Sequence, residues 1–213
     1  NQWGSFANLN LTLDRTGPAT TNAVVAPNPN NGTLLYEPNS PSIRISATAT
    51  DPLAGGISSS IKAVEGFLDT TGAPGSGIVF IPTDGSFNSA SENAYAQVPI
   101  STIQTLSLGA HTFSFRAQDA AGNWGPFSTA TLVVDKTGPA ISNLAVTPNP
   151  TNGAVLATLT GTATDPVNGT GPSQGPGSNI TRVEWFEGAD PGQGNASALT
   201  LTGPAGASTT FSG

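Results

Sequence analysis

The chain has 213 residues, only 9% of them charged, and a net charge of −7 from 13 acids against 6 bases. Without cysteine it forms no disulfide, thiolate metal site or cysteine nucleophile, and without a basic stripe it lacks the electrostatic footprint of a nucleic-acid binder. No apolar run nears the ~18 residues that span a bilayer as a helix, and the abundant Gly and Pro punctuate alternating apolar runs, the pattern of a packed β fold.

Read in chain order, the first segment returns later. N-Q-W-G-S-F at 1–6 and L-D-R-T-G-P-A at 13–19 recur as G-N-W-G-P-F at 122–127 and V-D-K-T-G-P-A at 134–140. Trp3 thus pairs with Trp124, Asp14 with Asp135, Pro18 with Pro139 and Gly32 with Gly153, at an offset of 121 (135 − 14). A period of that length is a whole domain rather than a solenoid repeat. The frame that follows is a final strand of a preceding repeat at 1–13, a complete unit at 14–134, and a partial unit at 135–213 that lacks its last strands. Beginning at Asn1 and containing no methionine, the chain reads as part of a longer, exported polypeptide.

Within the complete unit, residues 21–26 form the first expected strand, closed by P-N-P-N-N-G. The run S-I-R-I-S-A-T-A-T at 42–50 alternates with period two, placing Ile43, Ile45, Ala47 and Ala49 on one face. Further strands are expected at 61–68, 78–81 and 95–103. H-T-F-S-F-R-A at 111–117 carries Phe113 and Phe115 on one face, and 129–134 closes the unit. Short strands between Gly/Pro/Asn clusters, with helical signals nearly absent, predict an all-β fold of tandem antiparallel immunoglobulin-like sandwiches. In the partial unit, T-A-T-D-P at 48–52 returns at 162–166, and I-K-A-V-E-G-F at 61–67 returns as I-T-R-V-E-W-F at 180–186.

D-A-A-G-N-W-G-P-F at 119–127, followed by V-D-K-T-G-P, is the most distinctive stretch. With T-A-T-D-P and G-A-H-T-F-S-F-R-A-Q-D, it resembles bacterial immunoglobulin-like and fibronectin type III-like tandem repeats of large secreted and cell-surface proteins. The resemblance implies an extracellular, structural or adhesive role, and calcium at the junctions between repeats.

Two readings of the repeated acids stand side by side. Asp51, in the loop after the second strand, Asp119, in the turn before the last strand, and Asp135, at the unit boundary, converge on a Ca²⁺ site built from oxygen ligands. Alternatively, Asp51 and Asp119 cap turns by accepting backbone N–H groups. Trp3 and Trp124, with Asp14, Pro18 and Pro139, are expected to pack at unit boundaries, although an exposed Trp also stacks on sugar rings. His111, the only histidine, shares a face with Phe113 and reads as a packing residue. Glu65 and Glu184 recur in equivalent strands and read as edge or surface residues. The sequons at Asn10, Asn31, Asn168, Asn179 and Asn195 are expected by chance in so polar a chain.

The expectation for function is a structural or adhesive repeat module of an extracellular protein, as a stalk, surface layer or filament subunit. Its partners are neighbouring repeats or identical subunits joined head to tail, with the strand at 1–13 entering a neighbour's incomplete unit as one route. Neither nucleic acid nor membrane insertion is expected. The alternative is a carbohydrate-binding accessory module of a secreted enzyme, with Trp124, Trp185 and the 69–92 loop as glycan contacts. With its one histidine read as a packing residue and its recurring glutamates as edge or surface residues, the segment itself reads as non-enzymatic.

Overall fold

The computed structural model describes every residue except Asn1, Trp3, Asn10 and Ala54. Two compact units emerge: Asn1–Pro27, Leu35–Pro99 and Thr112–Thr131 form the first, and Asn28–Leu34, Ile100–His111 and Leu132–Gly213 the second. Regular structure is almost entirely β-strand, in antiparallel sheets. No helix among the described residues is long and apolar enough to cross a membrane.

One four-stranded sheet comprises β1 (Ala19–Ala26), β2 (Ser42–Thr50), β6 (Ser91–Pro99) and β5 (Ile81–Pro82), in the order β1-β2-β6-β5. A second comprises β3 (Ile61–Leu68), β4 (Ile78–Val79), β7 (Gly109–Asp119) and β8 (Ser128–Val134), in the order β4-β3-β7-β8. Strand alternation dictates what is buried. Ile43, Ile45, Ala47 and Ala49 of β2, Ala94, Ala96 and Val98 of β6, and Phe113, Phe115 and Ala117 of β7 are all buried, while the residues between them are not fully covered. Val25, Ile61, Val64 and Phe80 are buried as well, with the Phe80 and Phe115 rings 6.4 Å apart.

Two expected strands are corrected. The run at 78–81 divides: Ile78 pairs with Gly66 in one sheet and Ile81 with Tyr95 in the other, while Phe80 between them is buried. Pro82 has no N–H for a ladder, which confines it to an edge, and β5 is an edge strand. The strand expected at 95–103 stops at Pro99 and gives way to helix α1 (Ile100–Thr105). The sequence carries both signals, since Pro suits a helix start and Ile100 and Ile103 have helical i, i+3 spacing. Ile103 is the buried residue of this helix. The described residues of 1–13 carry no strand.

The second unit holds one five-stranded sheet of β9 (Ala140–Thr147), β10 (Thr158–Thr164), β11 (Val183–Trp185), β12 (Ser197–Leu201) and β13 (Ser208–Ser212), ordered β11-β12-β13-β10-β9. Within it Ala163, Ile180, Val183, Leu199 and Phe211 form one buried cluster, with Leu159 and Leu201 half-buried against it. Every residue of β9 is exposed.

The same local devices occur in both units. Asn22 and Asn143 adopt left-handed φ of 52° and 51°, a conformation Asn tolerates better than most residues. Each sits at a register shift, β1 against β2 and β9 against β10, and each side chain reaches a threonine hydroxyl, Thr48 at 3.5 Å and Thr162 at 3.4 Å. Thr50 and Ser91 share a hydroxyl hydrogen bond of 2.9 Å, as do Thr164 and Ser208.

Candidate metal centre

Three carboxylates of the first unit meet at one end of its sheets. Asp119 is the last residue of β7, Asp51 follows the last residue of β2, and Asp14 precedes β1 by a short linker. One oxygen from each lies within 4.8 Å of the others. Oxygens around one Ca²⁺, each 2.3–2.6 Å from the ion, are at most about 5 Å apart, so this spacing fits a shared coordination shell. Asp51 and Asp119 are buried and Asp14 is half-buried.

Each acid is also held by the backbone near it. Asp14 Oδ1 accepts the Thr16 N–H at 3.1 Å, and its Oδ2 accepts the Ser59 hydroxyl. The Ser59 N–H donates to Asp51 Oδ2 at 2.5 Å. Asp119 accepts from Asn123 twice, the backbone N–H at 2.8 Å and the side-chain amide at 2.9 Å. That amide also donates to the Asp14 carbonyl at 3.2 Å, tying the turn to the linker. The turn-cap expectation for Asp51 and Asp119 therefore describes part of the geometry.

It does not account for all of it. Asp51 Oδ1 is buried without any hydrogen-bond partner, and an orphaned buried acceptor costs roughly 1–3 kcal/mol. Burial pushes the Asp51 carboxyl above its ordinary value, with the charges of Asp14 and Asp119 adding to the effect. Asp14 is pulled the other way, chiefly by the Ser59 hydroxyl. A divalent cation would supply both the missing partner and the countercharge; the ion pairs Arg116–Glu65 and Arg182–Glu184 lie elsewhere.

Asp135, expected beside Asp51 and Asp119, lies instead in the second unit. There it repeats the role of Asp14: Oδ1 accepts the Thr137 N–H at 3.1 Å and Oδ2 accepts the Ser178 hydroxyl. The Ser178 N–H donates to Asp165 Oδ2 at 2.5 Å, and Asp165 Oδ1 is again buried and unpartnered. Burial raises the Asp165 carboxyl, with Asp135 adding to it. These groups line a cleft of about 540 Å³ together with Asn30, Lys136 and Arg182. Ser59 and Asn123 are the site residues that sequence reasoning left out, and Asp14, expected to pack at a unit boundary, joins the acids instead. The signal was present, because Asp14 precedes the same T-G-P as Asp135.

The linker is pinned by shape. Pro18 is buried, and a β-carbon on Gly125 would stand 1.7 Å from the Pro18 carbonyl oxygen, so only glycine lets the turn touch the linker there. Trp124, half-buried, forms a bridge with Gln118, and the Arg116 guanidinium stands 4.9 Å from its ring centre. Trp124 and Pro18 thus pack within the first unit, whereas Pro139 is exposed and Trp3 lies outside the described residues.

Other candidates sort as follows. His111 is buried in β7, with Nε2 2.9 Å from the Ser107 carbonyl. Glu65, expected at an edge or surface, is buried in β3 between β4 and β7. It bonds Arg116 Nε at 2.8 Å and accepts the N–H groups of Gly75 and Gly77 at 2.9 and 3.0 Å. The turn at 72–77 folds over β3 and covers it, a long-range closure that strand alternation does not encode. Of the sequons, Asn168 is 1% exposed and offers no glycan acceptor.

Comparison of the chain with protein-family models, with curated proteins and with solved structures gives no match.

Proposed function

We propose that the chain is a structural or adhesive repeat module of an extracellular protein, built from tandem immunoglobulin-like β-sandwich units whose junction acids hold Ca²⁺. The observation that carries this reading is the Asp14–Asp51–Asp119 cluster with its buried, unpartnered Asp51 oxygen. Two of its acids belong to the body of the unit and the third to the linker. A cation there ties the entering chain to the end of the sheets and stiffens the junction, which suits a stalk or filament whose partners are neighbouring repeats or identical subunits. The module is read as non-catalytic, since its one histidine is packed against a backbone carbonyl, its buried Glu65 is engaged by Arg116 and its buried Glu92 by the Asn88 and Ser89 N–H groups.

Thermal melts with calcium and with chelator test the reading. Calcium raises the midpoint, by about 2.7 kcal/mol of stabilisation at a free concentration a hundredfold above Kd, and Asp51→Asn abolishes the shift. A midpoint indifferent to calcium removes the metal from this account.

A second reading, a carbohydrate-binding module, is favoured by one observation: Trp185 and Phe186 are 45% and 49% exposed on consecutive residues. Glycan-array binding lost in Trp185→Ala supports it, and an array without binding excludes it.

A further inference from the structure

The sheet β1-β2-β6-β5 turns one face to the core and the other outward. Its strands carry two charged residues, Arg44 and Glu92. Glu92 is buried on the inward face, where it accepts the Asn88 and Ser89 N–H groups. The strands therefore present one base and no acid on the outward face, in a chain of 13 acids and 6 bases.

Two tyrosine rings hold that base. β2 and β6 pair Ser46 with Tyr95, which puts the Tyr95 ring on the outward face beside Arg44. The guanidinium carbon stands 3.8 Å from the centre of that ring. Ahead of β2 the chain doubles back through a bridge between Glu37 and Ser40, and the Tyr36 N–H donates to the Ser42 carbonyl at 2.9 Å. That turn sets the Tyr36 ring centre 5.2 Å from the same carbon. All three residues belong to the first unit.

Ring contacts occupy the faces of a guanidinium, whereas its N–H donors lie in the plane and need acceptors. Among the described residues nothing accepts from the Arg44 side chain, although it is half-buried, and neither tyrosine hydroxyl has a partner. Arg116 shows the same arrangement completed. It too lies against rings, Trp124 at 4.9 Å and Phe127 at 4.5 Å, and its fork is filled by the Glu65 carboxylate at 2.8 Å. Nor does the sheet need the stack. In the second unit Thr158 stands at the place of Arg44 and Ser212 at that of Tyr95, and the same ladders form.

We propose that Tyr36, Arg44 and Tyr95 form a seat for the carboxylate of an acidic saccharide, a uronate unit within a hydroxylated chain. The Arg44 fork takes both carboxylate oxygens. The two phenol hydroxyls, with Ser46 and Gln97 on the same face, meet the sugar hydroxyls. The surroundings select a saccharide over an acidic peptide, because the strand side chains beside the one cation are neutral. A chain of net charge −7 also repels a dense run of carboxylates. This seat adds a ligand to the module and does not rest on the cation site.

Calorimetric titration of the full chain with uronate oligosaccharides (galacturonate, mannuronate and guluronate) tests the seat. Chelator is present throughout, so that calcium bridges nothing and the result stays separate from the calcium melts. At least one oligosaccharide is expected to bind, more weakly as salt rises, and its methyl ester is expected not to bind. Arg44→Thr, which installs the residue that β10 carries, should lower affinity at least tenfold. Arg44→Lys should not restore it, since an ammonium lacks the planar fork. Tyr36→Ala lies outside every strand and should weaken binding as well, which keeps the test decisive if the β2 variant misfolds. The Trp185–Phe186 pair is untouched by these substitutions, so the loss assigns binding to this seat. The proposal is overturned by no binding of any uronate, by equal binding of the ester, or by affinity unchanged in the variants. A glutamate oligopeptide bound as tightly as the sugar overturns it too.

Discussion

Asp51, with one oxygen buried and unpartnered, gives the first unit a carboxyl that titrates above its ordinary value. Burial raises the Asp51 carboxyl above the value of 3.8 that it has when free, and Asp165 behaves alike in the second unit. A raised acid binds its proton more tightly folded than unfolded, so the folded form gains most below the ordinary value. That gain is lost as pH climbs through the raised one. In chelator, stability is therefore expected to fall as pH rises from about 3.8 through the raised values. Under the proposed calcium binding the trend is expected to reverse, because the ion would bind the deprotonated carboxylates. Urea denaturation across this range, with chelator and with calcium, checks it: the two curves converge at low pH and separate as pH rises. Asp14 has the opposite sign, since the Ser59 hydroxyl lowers it. Its contribution is present above the ordinary carboxylate value and is lost as pH falls through the lowered one.

Among the elements, the linker 14–18 and the turn 119–125 act as one piece. Gly125 touches the Pro18 carbonyl, and Asn123 bonds both Asp119 and the Asp14 carbonyl. Gly125→Ala is expected to push the linker off the turn and carry Asp14 out of the cluster. Calorimetric titration should show calcium affinity reduced at least about tenfold, or about 1.4 kcal/mol, although no carboxylate has changed. Affinity equal to the parent chain would show that the linker does not position Asp14. The strands show how far the sequence reaches. β2 and β3 occupy the expected spans because period-two alternation is a local signal. The division at Phe80 and the cover over Glu65 depend on which sheet a passing segment joins, and alternation is silent about that. The site was half legible for a related reason. Asp51 and Asp119 announce themselves in T-A-T-D-P and the D-A-A-G-N turn, but choosing Asp14 over Asp135 requires knowing that the linker folds back onto its own unit.

For the whole molecule, each unit has a buried aromatic side chain of its own. Phe115 anchors the first and Phe211 the second, at 0% and 2% exposure. Truncating either to alanine is expected to cost about 3–5 kcal/mol. The loss should stay within its own unit, because distant sites add independently. Native-state hydrogen exchange reads the units separately through β2 and β10. Phe211→Ala should speed exchange in β10 and leave β2 unchanged, and Phe115→Ala should do the reverse. Acceleration of both strands by either variant would show one cooperative core.

The lock between Pro18 and Gly125 also decides how the first unit would carry tension. A pull on the chain ahead of Asp14 reaches the linker first, and the linker is braced against the turn between β7 and β8 before β1 begins. Load therefore enters near the closing hairpin of the unit, and β1 is shielded from being peeled off its edge one hydrogen bond at a time. With a cation gripping Asp14, Asp51 and Asp119 together, the weakest point under strain moves from the ladder of β1 to a cluster of ionic bonds that re-form when the strain is released.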